Sequence, residues 1–174
     1  MLTLETLRDF LVQFPCLHLS AAPEIFGPTA LNAQSGNGSL SVGFARDGTL
    51  AVCRWPSPSF YDQLKYHTTS RDAPRLGADE NAGAFLGLAV TEGGHTRTTW
   101  LRNWATEQRY LDPNSDAVET THRSDAFGLT VTVADVVVRE TDALVRDVTI
   151  SRDADSPVTA AHLVAFANPT LVVT

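Results

Sequence analysis

SLSVGFARDGTLAV, residues 39–52, has the pattern of a β-hairpin. Apolar side chains alternate with small or polar ones on both sides of Asp47-Gly48, which is the pattern of two half-buried strands. An Asp-Gly pair between two such runs is a strong hairpin signal, because the central residues of a type I′ turn take positive φ. This stretch therefore predicts two antiparallel strands joined by a type I′ turn.

The rest of the chain continues in the same way. Further strand patterns, separated by turn residues, occupy 85–90, 98–101, 118–122, 129–133, 135–139, 144–150 and 158–166. No second helical pattern rivals them. Many short strands with turns between them predict an all-β antiparallel sandwich.

The N-terminal part precedes this pattern. Residues 1–14 predict a short amphipathic helix, which Pro15 ends. Its apolar side chains share one helical face: Leu4, Leu7, Leu11 and Phe14. Acidic residues stand where a signal peptide has its positive region, so we expect no export and a cytoplasmic chain. Residues 15–37 are rich in proline and glycine and predict a connector, which leaves 38–174 for the sandwich.

Composition limits the function classes. The chain has 174 residues, 43% of them hydrophobic, and a formal net charge of −7. This length fits one domain with its own core. The acidic balance argues against a nucleic-acid partner, and no apolar run reaches the ~18 residues of a membrane span. Cys16 and Cys53 fit no zinc or redox spacing, which leaves two buried thiols or a disulfide.

The segment RWPSPSFYDQLKYHTTSRDAPRL, residues 54–76, interrupts the strands and is the most function-like part of the chain. Three roles are open: covering the core, packing on another domain, or contacting a sugar by stacking and hydrogen bonds. Aromatic residues and arginine are enriched at interfaces. The candidate residues are Trp55, Tyr61, Asp62, Gln63, Tyr66 and Arg71. Trp100 and Trp104 carry the same alternatives, with the core favoured.

Metal and catalytic patterns are weak. His122 and His162 lie in predicted strands and could meet in space, but we expect ordinary strand positions rather than a metal site. Residues 112–116 have the oxygen spacing of a calcium loop, but Ala117 and Arg123 replace its glycine and its bidentate glutamate. We expect a polar surface turn there, and we predict no metal, no cofactor and no catalytic residue.

The order of features suggests a family. GNGSLSVGFARDGTLAVCRWPSPSFYDQLKY, residues 36–66, resembles the opening of the N-terminal β-sandwich domain of glucoamylase-type enzymes of glycoside hydrolase family 15, glucodextranases included. The shared order is a Gly-Asn-Gly start, an alternating strand, an Asp-Gly turn, a second strand and an aromatic-proline loop. Segments 85–90, 100–110 and 118–168 continue it.

This resemblance implies a large antiparallel sandwich joined to a barrel of paired helices. It also implies inverting hydrolysis that releases glucose from α-glucans, with both catalytic carboxylates in the barrel. The chain has no segment that matches the barrel. We therefore expect a non-catalytic, incomplete N-terminal domain whose partners are that barrel and an α-glucan oligosaccharide. The alternative is a free-standing carbohydrate-binding or protein-interaction module.

An incomplete sandwich leaves an edge strand unpaired, and an unpaired edge promotes self-association. We therefore also expect the chain to associate with itself.

Overall fold

The computed structural model describes residues 31–60, 62–64 and 83–169. The predicted helix at 1–14 lies outside these residues. The described strands are β1 (Leu31–Gly36), β2 (Ser41–Ala45), β3 (Leu50–Arg54), β4 (Ala84–Glu92), β5 (His95–Trp100), β6 (Ala105–Tyr110), β7 (Val118–Ser124), β8 (Leu129–Val137), β9 (Leu144–Arg152) and β10 (Val158–Ala167). A single 3-10 turn, Leu101–Asn103, links β5 to β6.

The strands form two antiparallel sheets. The six-stranded sheet has the order β1-β2-β3-β4-β10, and β5 also pairs with β4. Strand β10 runs along the whole of β4 on one side, so β3 and β5 share the other side. The four-stranded sheet is the meander β6-β7-β8-β9. The predicted all-β antiparallel fold is confirmed.

The core lies between the two sheets. Strand β8 alternates buried and half-buried residues along its whole length. Buried side chains of the two sheets form one cluster: Leu88, Val90, Leu129, Val131, Val133 and Val158. A second cluster also contains buried side chains from both sheets: Ala33, Val42, Phe44, Val118 and Val137. Each buried leucine, valine or phenylalanine of these clusters contributes roughly 1.5–3 kcal/mol by leaving water, so the apolar rows hold the sheets together.

The β2–β3 turn differs from the predicted type I′ turn. Among the described residues only glycines have positive φ, and Gly48 is one of them, at 76°. The Gly48 N–H donates to the Ala45 carbonyl at 3.0 Å, and the Ala45 N–H donates to the Thr49 carbonyl at 2.9 Å. The loop therefore has three residues, with a right-handed turn before a left-handed glycine. Asp47 stays right-handed and accepts the Thr49 N–H at 3.0 Å.

The predicted connector is wrong over its last residues, because Leu31–Gly36 forms β1 and pairs with β2. Its sequence, LNAQSG, has no β-branched or aromatic residue, so local propensity gave no strand signal. Tertiary contacts supply the stability. Ala33 and Ser35 face the core, and the Ser35 hydroxyl accepts the N–H of Val137 in the opposite sheet at 2.9 Å.

Gly87 is required by the close approach of β5. A Cβ there would lie 2.6 Å from the Thr99 carbonyl oxygen and 2.5 Å from the Trp100 ring. We expect Gly87→Ala to destabilise the fold by about 2 kcal/mol or more, because backbone cannot move aside cheaply. Gly43→Ala is the control, since its Cβ would meet the flexible end of Leu31 at 2.9 Å. Urea unfolding of both variants checks this, and an equal loss would contradict it.

Candidate functional site

The aromatic-proline segment leaves β3 and is held by Asp62. One carboxylate oxygen of Asp62 accepts the N–H groups of Cys53, at 2.9 Å, and Leu64, at 3.0 Å. The Gln63 N–H donates to the Cys53 carbonyl at 2.7 Å. Asp62 and the Gln63 backbone therefore fix the shape of the loop.

Trp55 is an exposed aromatic residue of the described part of this segment, with 49% of its surface in solvent. Its indole N–H donates to Asp142 at 2.8 Å. Asp142 lies in the turn between β8 and β9, and its other oxygen accepts from the Asn37 side chain at 3.2 Å. The ring is thus oriented by the four-stranded sheet and presents surface for a partner or a sugar.

Half of the predicted site residues can be placed. Trp55, Asp62 and Gln63 lie in the same loop but serve different contacts. Tyr61, Tyr66 and Arg71 lie outside the described residues, as does Cys16. Cys53 carries a free thiol, and burial, together with the Asp62 carboxylate, raises its pKa.

The other two tryptophans serve packing. Trp100 meets Phe85 edge-on at 5.0 Å, and Phe85 stacks on Phe166 at 4.8 Å. Trp104 packs on Phe127 at 5.8 Å, and its indole N–H donates to Thr99 at 2.9 Å.

The predicted polar turn at 112–116 is held by hydrogen bonds to β1. The Asp116 carboxylate accepts the Ser35 hydroxyl and the Gly36 N–H, both at 2.9 Å. Burial opposes the charge of Asp116, but these hydrogen bonds outweigh it and lower the pKa of Asp116. No group of three or more metal-ligating side chains occurs among residues 31–60, 62–64 and 83–169. His122 and His162 lie in different sheets.

A buried ion pair, which sequence reasoning missed, lies between the sheets. The Arg146 guanidinium donates to both oxygens of Asp135, at 2.6 and 3.2 Å. Asp135 is 1% exposed, and burial raises its pKa while Arg146 lowers it. A signal was available, because Asp135 interrupts the otherwise apolar row of β8.

His122 lies in the same polar cluster. It is 3% exposed, and its Nδ1 is 3.1 Å from the Thr106 hydroxyl. Gly48 of the β2–β3 turn packs against its ring, since a Cβ there would lie 2.9 Å from Nε2. Burial lowers the pKa of His122 to about 4. The cluster is enclosed, so we assign it to holding the two sheets in register.

A separate cleft of about 660 Å³ opens beside strands β1–β3. We call it the β1–β3 cleft. It lies on the side of β1–β3 turned away from the four-stranded sheet, and the loop that follows β6 forms one wall. Its polar and aromatic lining comes from Gln34, Arg54, Tyr110, Asp112, Ser115 and Asp116.

A second feature is an open edge, which we define as strands β9 and β10. They are the last strands of the two sheets. Leu163 pairs with the buried core residue Leu88, and Ile150 pairs with the buried core residue Val131. Directly paired residues project on the same face, so Leu163 and Ile150 belong to core-facing rows. Yet they are 48% and 39% exposed, so the core opens to solvent at this edge.

The described part of the chain contains no helix long and apolar enough to cross a membrane. Comparisons with protein-family models, with curated proteins and with solved structures found no match. The site geometry and the sequence resemblance are therefore the basis for a functional proposal.

Proposed function

We propose that this chain is a non-catalytic β-sandwich module of a glucoamylase-like α-glucan hydrolase. In this proposal further polypeptide of the enzyme, strands and the catalytic helical barrel, packs on the open edge. The observation that carries the proposal is the exposure of core-facing Ile150 and Leu163. The resemblance of residues 36–66 supplies the family.

The use of the carboxylates supports a non-catalytic role. An inverting glycosidase needs two carboxyl groups roughly 6.5–9.5 Å apart across the sugar, one of them with a raised pKa. Asp135 has a raised pKa but lies buried against Arg146. Asp62, Asp116 and Asp142 each accept hydrogen bonds that hold loops or strands. These carboxylates stabilise the fold through hydrogen bonds or an ion pair, which supports a structural rather than a catalytic role.

The test is a titration of the chain with a separately expressed helical barrel of a glucoamylase-type enzyme, followed by calorimetry. We expect a 1:1 complex. Leu163→Asp and Ile150→Asp should each weaken it at least tenfold, because a charge would enter an apolar contact. Val145→Asp is the matched control, since Val145 is 46% exposed on the opposite face of β9. Absence of a complex, or equal weakening by all three variants, would overturn the proposal.

The open edge also predicts self-association when no partner is present. The outward backbone groups of β9 and β10 have no strand partner in the part of the chain described, and such edges pair with one another. We expect light scattering to show a mass that rises with concentration and a monomer for the Leu163→Asp variant. A wild-type monomer at high concentration would contradict this.

The alternative, a free-standing carbohydrate-binding module, is favoured by the exposed and oriented ring of Trp55. A titration with maltooligosaccharides, followed by tryptophan fluorescence and a glucose assay in the same tubes, separates the two. A saturable change lost in Trp55→Ala, with no barrel complex, would favour the module. Glucose release by the chain alone would refute both.

A further inference from the structure

The β1–β3 cleft has a floor of small and apolar residues. Gly43 pairs with Gln34 on one side and Val52 on the other, and Ser41 pairs with Gly36. Leu31 covers Gly43, since a Cβ there would lie 2.9 Å from one of its methyl groups, so an apolar patch forms this part of the floor. The volume of about 660 Å³ is in the usual range of small-molecule sites.

Tyr110 forms an aromatic rim of this cleft. Its hydroxyl accepts the Gln34 N–H at 3.1 Å and donates to the Gln34 carbonyl at 3.3 Å. The side chain is therefore fixed at one end by strand β6 and at the other by its hydroxyl group, while 44% of the residue is exposed. An aromatic face fixed in this way is suited to stacking, because little side-chain freedom remains to be lost on binding.

Arg54 supplies an unsatisfied donor. One terminal nitrogen donates to the Pro58 carbonyl at 3.0 Å, but the buried Nε–H has no hydrogen-bond partner among the residues that the structure describes. Buried donors are nearly always paired. The Nε–H is closed to solvent, so a ligand oxygen in the cleft would accept from the terminal nitrogens of the guanidinium, which lines the cleft.

The charges of the lining select the ligand class. One guanidinium, of Arg54, faces the same cleft as the carboxylates of Asp112 and Asp116. The two carboxylates would repel an anionic ligand, and the guanidinium would repel a cationic one. A neutral polyhydroxylated ligand suits both, since each hydroxyl group donates to a carboxylate or accepts from an arginine.

We propose that the β1–β3 cleft binds a neutral oligosaccharide, with the Tyr110 ring as its stacking platform and Arg54 and Asp112 as its hydrogen-bonding side chains. This site shares Arg54 and Pro58 with the aromatic-proline segment but does not include Trp55, and it is separate from the open edge. The choice of an α-glucan as first probe rests on the proposed function. The proposal that the cleft binds an oligosaccharide does not.

The experiment is calorimetric titration of the full chain with maltoheptaose, cellohexaose and xylohexaose. We expect at least one to bind. Tyr110→Ala and Arg54→Gln should each weaken binding tenfold or more. Tyr110→Phe should weaken it less than Tyr110→Ala, because it keeps the ring but loses the two hydrogen bonds to Gln34. Leu111→Ala is the matched control, since Leu111 is 49% exposed next to Tyr110 but does not line the cleft. Asp112→Asn tests the carboxylate while it retains the oxygen that accepts the Asn114 N–H.

Two results would overturn the proposal. One is no binding of any of the three sugars to a chain with a normal unfolding transition. The other is binding that Trp55→Ala abolishes and Tyr110→Ala and Arg54→Gln leave unchanged. Binding of cellohexaose or xylohexaose alone would support the cleft and count against the α-glucan assignment. The titration with the helical barrel tests the proposed function separately, so a failure of that proposal can be told apart from a failure of the cleft proposal.

Discussion

Arg146→Met is expected to destabilise the chain by about 3–5 kcal/mol, because it leaves the Asp135 carboxylate buried without its partner. Asp135 is 1% exposed, and Arg146 donates to both of its oxygens. Methionine preserves most of the aliphatic stem, so the loss reports the charge rather than the packing. Chemical unfolding at neutral pH measures it.

The control for this variant is Arg109→Met. Arg109 also contacts a carboxylate at 2.6 Å, that of Glu119, but its side chain is 69% exposed. An exposed pair contributes little, so we expect no measurable change in the unfolding midpoint. The double variant Arg146→Met/Asp135→Leu should recover most of the loss, since no charge remains buried. If Arg146→Met were as mild as Arg109→Met, the buried pair would not hold the sheets.

His122 is expected to make the fold sensitive to acid. Its folded pKa, about 4, lies below the ordinary value of 6.5, so the unfolded chain binds the proton first. The contribution of neutral His122 to the free energy of unfolding is complete above pH 6.5, decreases as the pH falls and is lost near pH 4. The resulting loss of unfolding free energy is roughly 3 kcal/mol, at about 1.36 kcal/mol for each pKa unit between the folded and unfolded values.

The measurement is the free energy of unfolding of the wild type and of His122→Gln between pH 7 and pH 4. Carboxylates also titrate in this range, so the difference between the two slopes isolates His122. We expect a shallower slope for His122→Gln, because the buried imidazole is removed. Equal slopes for wild type and His122→Gln would contradict the prediction.

The fold was predictable where local patterns and tertiary structure agree. Residues 39–52 form a hairpin in which the alternation, the turn glycine and the packing all indicate the same structure. Strand β1 was not predictable, because LNAQSG gains its strand conformation from pairing with β2 and from the bond between Ser35 and Val137. The turn type was missed because Asp47 uses its side chain to cap the Thr49 N–H.

The candidate site was predictable in part. Trp55 was found from the crowding of aromatics and prolines after β3, and it is exposed. The β1–β3 cleft could not be found, because it joins β1 to residues far along the chain: Gln34 and Tyr110 are 76 positions apart. The contact between Arg146 and Asp135 likewise depends on strand register, which single-residue patterns do not specify.

We propose that β9 and β10 form the edge on which the rest of a larger enzyme packs. Amide hydrogen exchange of the chain, with and without a glucoamylase-type helical barrel, tests it most directly. We expect slower exchange in residues 144–152 and 158–167 on adding the barrel, with no change in β6. Unchanged exchange in both strands, or protection confined to the Trp55 loop, would contradict it.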